Sequence, residues 1–373
     1  VSCAAKAAAP LIIGFKVFIF SCDTFRPRAN SSSMNTSLAL CFALTLCSGS
    51  ALAQWSSDPA NTTLIAGGAG DQATPQLGLG AGKVWVEFTD ASGAGGIKYA
   101  VQQLDEQGNV LLSTPLVVSP ARTNTASFVH DLDVNSAGQA FVAYDDNGIW
   151  LQRVEANGSP AWSGNGVFLA GSTGSLGPRV AAFADGSAVV CFASGTTLNI
   201  RRINADGSAG ASFTIDDPGR SVSPSDMLAL GGQEFALLWI RGETTSFLSR
   251  KGLRLQKYDA TNAPMWNSGA PMDIYTSSAA PLKSIQNGYF PALVPDNEGG
   301  AIVSWYDNGA ARNAWIQHVI ADGTVVFPAE GLAASGVSSA TQLRLSASVA
   351  FHRATRSYTV AFMRSNTLQS QFG

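Results

Sequence analysis

Six short apolar runs, each closing on an aromatic residue, recur along the chain: VWVEF ending at Phe88, AFVAY at Tyr144, AVVCF at Phe192, FALLW at Trp239, AIVSW at Trp305 and YTVAF at Phe362. Each is five residues long and rich in β-branched and aromatic side chains. Most follow a Gly-containing turn such as NSAGQ, ADGS or NEGG, and a strand is the predicted element. Behind five of the runs comes a second apolar segment that ends in a turn: VQQLDEQGN, LQRVEANGS, IRRINADGS, LQKYDATNA and IQHVIADGT. An acidic residue or Asn three positions ahead of Gly or Asn suits a type I turn whose last residue is left-handed, a conformation Gly and Asn tolerate best. A last strand is expected after that turn, opening on a bulky residue: Trp162, Trp266 or Phe327. Each repeat thus supplies four antiparallel strands.

The alternation within the runs predicts how repeats pack. Phe235, Leu237 and Trp239 share one face, whereas the position just before the closing aromatic is small in Ala143, Cys191, Ser304 and Ala361. Large residues of one module are expected to interdigitate with small residues of the next. Cys191 reads as such a filler rather than a reactive thiol. Glu87 breaks the pattern and is expected near the solvent end of its strand.

Four-stranded modules repeated at this period describe a β-propeller, and the sequence resembles the blade repeats of secreted bacterial β-propellers. The resemblance runs over residues 54–373. It rests on pattern: WD dipeptides of the WD-repeat type, the Asp-box SxDxGxTW and Cys-x-x-Cys are absent. The sixth repeat ends as MRSNTLQSQFG, inside its third strand. QWSSDPANTTLIA, opening at Gln54, matches the interior stretch AWSGNGVFLA, with Trp55 standing where Trp162 and Trp266 stand. The expected fold is all-β: a six-bladed propeller of four-stranded antiparallel blades, its ring closed by the mature N-terminal strand, residues 54–66, so that no long edge stays unpaired.

The segment from Met34, MNTSLALCFALTLCSGSALAQW, has an apolar core and a small-x-small site at Ala51 and Ala53, the form of a secretory signal cleaved before Gln54. No Lys or Arg stands between Met34 and the apolar core. Residues 1–33 are expected to be a disordered upstream extension, residues 34–53 the signal, and residues 54–373 a single propeller domain with no later membrane span. Four of the five cysteines precede Gln54, leaving Cys191 without a disulfide partner in the mature chain. A net charge of −3, with 26 acidic and 23 basic residues, gives no electrostatic basis for binding nucleic acid. The expectation is an exported monomer, periplasmic or extracellular.

Two residues beyond each closing aromatic stand Asp90, Asp146, Ser194, Arg241, Asp307 and Arg364, predicted to share one rim. Asp in turns such as YDDNG commonly bonds its own backbone. The functional reading is a polar mouth in which Arg241 and Arg364 meet carboxylate or sulfate groups and the aspartates meet sugar hydroxyls or a cation. Of two long connections, at 240–252 and 277–291, the second offers Tyr289 and Phe290 for stacking on a sugar ring. His130, His318 and His352 fall in three repeats, with no spacing for a shared metal; His318 is expected to face solvent from an outer strand. No metal, cofactor or catalytic residue is assigned. The expected function is non-enzymatic binding of a glycan or an envelope protein. Its alternatives are a glycosidase or lyase using rim carboxylates and a purely structural repeat domain.

Overall fold

The computed structural model describes residues 63–67, 70–91, 96–119, 130–171, 177–309, 312–334 and 342–366. The first repeat folds as β1 (Gln72–Gly80), β2 (Lys83–Asp90), β3 (Lys98–Asp105) and β4 (Leu116–Val117). The second gives β5 (His130–Val134), β6 (Ala140–Asp145), β7 (Gly148–Val154) and β8 (Val167–Gly171). The third gives β9 (Arg179–Ala182), β10 (Ala188–Ser194), β11 (Thr197–Ile203) and β12 (Ala209–Asp216). The fourth comprises β13 (Val222–Gly231), β14 (Glu234–Gly242), β15 (Lys251–Tyr258) and β16 (Met272–Tyr275). The fifth comprises β17 (Ala292–Pro295), β18 (Ala301–Tyr306), β19 (Ala314–Val319) and β20 (Leu332–Ala333). The last two strands are β21 (Gln342–His352) and β22 (Ser357–Asn366).

Each of the five four-stranded sheets pairs its strands antiparallel in chain order, and the first strands β1, β5, β9, β13, β17 and β21 touch their neighbours in succession. Meandering four-stranded sheets whose first strands line a common centre are the blades of a β-propeller. Among the described residues there are five such blades. Of the sixth repeat the described residues include the hairpin β21–β22. Of the expected closing strand 54–66, residues 54–62, Trp55 included, lie outside the described residues, and residues 63–66 form no strand, Ile65 and Ala66 packing on blade one; residues 367–373, the signal segment and all cysteines but Cys191 also lie outside the described residues.

The alternating faces behave as expected. Phe235, Leu237 and Trp239 of β14 pack into one core with Ala181, Val189 and Cys191 of blade three, while Ala236, Leu238 and Ile240 pack into another with Ala301, Val303 and Trp305 of blade five. Cys191 is fully buried, and desolvation pushes its thiol far above the usual range. It fills space and is not poised to react.

The outer strand departs from expectation. After the turn the chain makes a single bridge back to the third strand, at Val110, Pro160, Pro264 and Val325, then loops outward before the short β4, β8, β16 or β20 forms. A buried glutamine spans each interruption. Gln256 is fully buried; its Nε2 donates to the carbonyls of Trp266 (3.2 Å) and Ala270 (2.9 Å), and its Oε1 accepts the Trp266 N–H (3.0 Å). Gln317 holds Phe327 and Pro328, Gln152 holds Trp162 and Gly164, and Gln102 holds Leu112 in the same way. The amide supplies what a strand partner would have supplied, a donor and an acceptor for buried backbone. Blade three has Arg201 at this position, and there β12 runs from the turn as one eight-residue strand.

The next residue along reaches the following blade. Arg153 Nη1 donates to the carbonyls of Gly186 and Ala205 in blade three, and Arg202 Nη2 to those of Gln233 and Asp259 in blade four. His318 occupies this position in blade five. It is 2% exposed, in a third strand rather than an outer one, bonded through Nε2 to Asp296 (3.0 Å) and through Nδ1 to Tyr358 of the hairpin (2.7 Å). The expectation of a solvent-facing His318 is corrected: its register, not its polarity, sets its place.

Glu87 is corrected likewise. It is fully buried, on the face of β2 turned toward blade two, with Oε2 2.5 Å from His130 Nδ1 on β5. Thr74 Oγ1 lies 3.1 Å from His130 Nε2, and the Tyr99 ring packs on the imidazole. A carboxylate is accommodated there because a histidine 43 residues away closes the pair.

Candidate functional site at the centre of the propeller

The first strand of each blade has an open edge facing its counterpart in the next blade, and polar side chains bridge these edges. Gln76 on β1 donates to the His130 carbonyl (2.9 Å) and accepts the Leu132 N–H (3.1 Å). On β5, Asp131 accepts the Val180 N–H and Asp133 the Ala182 N–H, both at 2.8 Å. Arg179 Nε on β9 donates to the Ser225 carbonyl (2.7 Å). On β13, Ser225 Oγ donates to the Pro291 carbonyl (2.7 Å) and Asp226 accepts the Leu293 N–H (2.6 Å). Asp131 and Asp133 stand two apart on one strand, which places both on the same face.

These side chains line a cavity of about 300 Å³ among the first strands of blades one to five. Its polar wall holds Asp131, Asp133, Asp226 and Arg179; its apolar wall holds Met227, Phe290 and Leu293. The Arg179 guanidinium lies over the Phe290 ring at 4.7 Å and is buried. Burial raises the carboxyls: Asp133 to about 6, opposed by the Ala182 N–H, and Asp226 to about 7, with the Asp131 charge adding to the desolvation. Asp131 is raised as well, by desolvation opposed first by Arg179. Each of the three aspartates is half-buried where it lines the cavity.

The sign of the pH dependence follows. A carboxyl whose pKa is higher folded than unfolded holds its proton in the native chain over a range where the unfolded chain has lost it, so these groups favour folding at low pH. Their contribution declines as pH rises from about 4, the unfolded aspartate value, through about 6 for Asp133 and about 7 for Asp226. The expected result is a melting midpoint that falls between pH 5 and pH 7.5, with a shallower fall in Asp226→Asn. Equal slopes in the two proteins, measured by scanning fluorimetry, would remove Asp226 from the account.

Four of the six rim residues are engaged locally. Asp90 ends β2 and accepts from Gln72 Nε2 (3.2 Å). Asp146 sits in the β6–β7 turn, its N–H donating to the Gly148 carbonyl and its own carbonyl accepting from Trp150 Nε1. Arg241 is ion-paired with Asp217, which also lies 3.7 Å from Arg254, and Arg254 pairs in turn with Asp273. Asp307 is buried and accepts from Trp315 Nε1 (3.1 Å), Gly309 N–H (3.2 Å) and the Tyr275 hydroxyl (3.3 Å); desolvation raises its pKa despite these bonds. Ser194 and Arg364 are exposed, Arg364 standing opposite Arg344 in the β21–β22 register.

Of the two loop aromatics, Tyr289 is half-buried, its ring against Tyr306 with centroids 4.1 Å apart, and it packs on Tyr306, Leu343 and Leu345. Phe290 reaches the central cavity. The cavity residues were outside the repeat-based reading because every blade uses a different side chain at this place: Gln76, Asp131 and Asp133, Arg179, then Ser225 with Asp226. The available signal was the alternation of polar residues in HDLDV and SPSDM, the period of a strand with one polar face.

Neither a protein-family model nor a curated protein matches this chain. Solved structures similar to it include an alpha-L-arabinanase of Penicillium chrysogenum complexed with arabinobiose, 13% identical over 68% of this chain and 80% of that one, with a TM-score of 0.45. An alpha-L-arabinofuranosidase of Clostridium thermocellum is 14% identical over 68% of this chain and 92% of its own, with a TM-score of 0.37. TolB of Acinetobacter baumannii is 13% identical over 68% and 53%, with a TM-score of 0.35.

Proposed function

We propose that this chain is an exported six-bladed β-propeller, its ring closed by residues 54–66, that acts as a non-enzymatic binding module whose small polar ligand enters the central cavity. The signal-like segment from Met34 to Ala53 supports export. The observation that carries the binding reading is the cavity wall: carboxyls and a guanidinium beside an aromatic ring, in a space of about 300 Å³. Small-molecule sites combine an apolar lining with a few convergent polar groups in this way. The rim residues support it less, since the side chains of Asp90, Arg241 and Asp307 are engaged by neighbours within the fold.

A second reading has one specific observation in its favour. Carboxyls held at about 6 and about 7, as Asp133 and Asp226 are, can donate a proton at neutral pH, which a glycosidase or lyase requires. The two readings separate by product analysis. Full chain is incubated with aryl glycosides, plant and bacterial oligosaccharides and peptidoglycan fragments, and ligand depletion is measured beside product formation. Binding without product is the expected outcome. Turnover that Asp226→Asn or Asp133→Asn abolishes while the melting midpoint holds would replace the binding module with an enzyme.

A further inference from the structure

Arg312, Arg344 and Arg364 differ from the rest of the arginines. Elsewhere among the described residues each arginine side chain donates to a carboxylate or a backbone carbonyl. These three do neither, and they are neighbours. Arg312 lies in the loop between β18 and β19 of blade five, and its carbonyl accepts the N–H of Arg344 near the start of β21 (2.9 Å). Arg344 stands opposite Arg364 of β22 in the hairpin register. Directly opposed residues of an antiparallel pair share a face, so both side chains leave the same side of the hairpin. The Arg344 guanidinium lies over the ring of Phe362, at 5.9 Å, and Phe362 is two residues from Arg364 on that face. Arg344 Nη1 also reaches Oδ1 of Asn313, the residue after Arg312, at 3.4 Å. The three side chains therefore spring from adjoining backbone where blade five meets the hairpin.

The cluster carries charge that the fold does not neutralise. Among the described residues none of the three is ion-paired, in contrast to the arginines of blades two and four and of the hairpin turn. Asp307, the acid nearest to Arg312 in sequence, is turned to Tyr275 and Trp315. Arg344 is 7% exposed, and Arg312 Nη1 is buried with no hydrogen-bond acceptor. Like charges set opposite each other on a sheet, and a cation withdrawn from water without a partner, both oppose folding. An anion bound between them reverses both costs. Guanidinium forks match the oxygens of carboxylate, sulfate and phosphate, and three of them offer more charge and more donors than a single carboxylate can engage. We infer that Arg312, Arg344 and Arg364 form a binding site for a tetrahedral oxyanion, sulfate or phosphate, free or as an ester group. The site shares no residue with the central cavity. The rim pattern gives Arg241 and Arg364 the same role; Arg241 is held by Asp217, and the structure sets Arg364 beside Arg344 instead.

The test is equilibrium titration of the full chain with inorganic sulfate, inorganic phosphate, glucose 6-sulfate, glucose 6-phosphate and acetate, at constant ionic strength because salt screens exposed charges. Expected is saturable binding of the tetrahedral anions, with acetate weaker by about tenfold or more. Arg312→Gln and Arg364→Gln should each weaken the anion by about tenfold or more, the loss of a charge-assisted hydrogen bond. Arg364 is exposed, so its replacement keeps the fold even where Arg344→Gln does not. Arg356→Gln, at the turn of the hairpin and paired with Glu298, should leave the affinity unchanged, as should Asp226→Asn in the central cavity. Tighter binding of the monoesters than of the free ions identifies an esterified ligand and the reverse a free ion; either ranking supports the site. Absence of saturable binding in the parent, acetate bound as well as sulfate and phosphate, or affinity that survives both Arg312→Gln and Arg364→Gln would overturn it. Loss of binding in Asp226→Asn alone would put the anion in the central cavity and overturn the arginine site while leaving the cavity reading intact.

Discussion

Replacing Gln256 by Ala is expected to destabilise the chain by about 3 kcal/mol or more, the effect of leaving several buried backbone groups without partners at about 1–3 kcal/mol each. The amide satisfies the Trp266 N–H and the carbonyls of Trp266 and Ala270, and its Oε1 also accepts the Lys257 N–H. Water cannot substitute, since Gln256 is fully buried beneath the loop it supports. Gln256→Glu tests the chemistry at nearly constant volume, because a carboxylate keeps the acceptor and loses both donors. It should fail to rescue. Arg201→Ala in blade three should cost much less, since β12 already satisfies its own backbone through the strand ladder. Chemical denaturation of the three variants checks the ranking; equal losses at Gln256 and Arg201 would show that the strut is ordinary packing.

The second large effect is expected at the Glu87–His130 pair. Both side chains are at most 1% exposed, and their contact joins blade one to blade two. Removing one partner of a buried pair strands the other, which costs about 3–5 kcal/mol, whereas replacing both by apolar groups is often close to neutral. Glu87→Leu and His130→Leu should each lower stability by that amount, and the double variant should recover most of it. Chemical denaturation closes the cycle. Simple addition of the two losses would mean that Glu87 and His130 act independently, contrary to a 2.5 Å contact.

The repeat, the second and third strands and the interdigitation of their faces were legible because they follow from period-two alternation, which local sequence records directly. The pairings across blades were not. Glu87 breaks the local pattern because its partner is 43 residues away, and the polarity of His318 points to solvent whereas its register places it between blades. The struts are visible as the recurring VQ, LQ and IQ dipeptides, yet a glutamine in a strand reads as a solvent-facing position until the outer segment is seen to leave the sheet. Gly158, Gly207 and Gly323 are legible as turn residues, but their lack of a side chain serves a neighbouring blade too. The central cavity was least legible of all. Repetition identifies what blades share, and the cavity is built from the positions at which they differ.

Ligand binding at those positions is tested most directly by a thermal-shift panel on the full chain at pH 7: neutral sugars, uronic acids, peptidoglycan fragments and Ca²⁺, each applied to the parent and to Asp226→Asn. A ligand at about 100 times its dissociation constant adds about 2.7 kcal/mol, enough to move the midpoint by several degrees. The expected result is a shift with one chemical class that is reduced or lost in Asp226→Asn. No shift with any class, or a shift that Asp226→Asn leaves intact, would contradict a binding site in the central cavity.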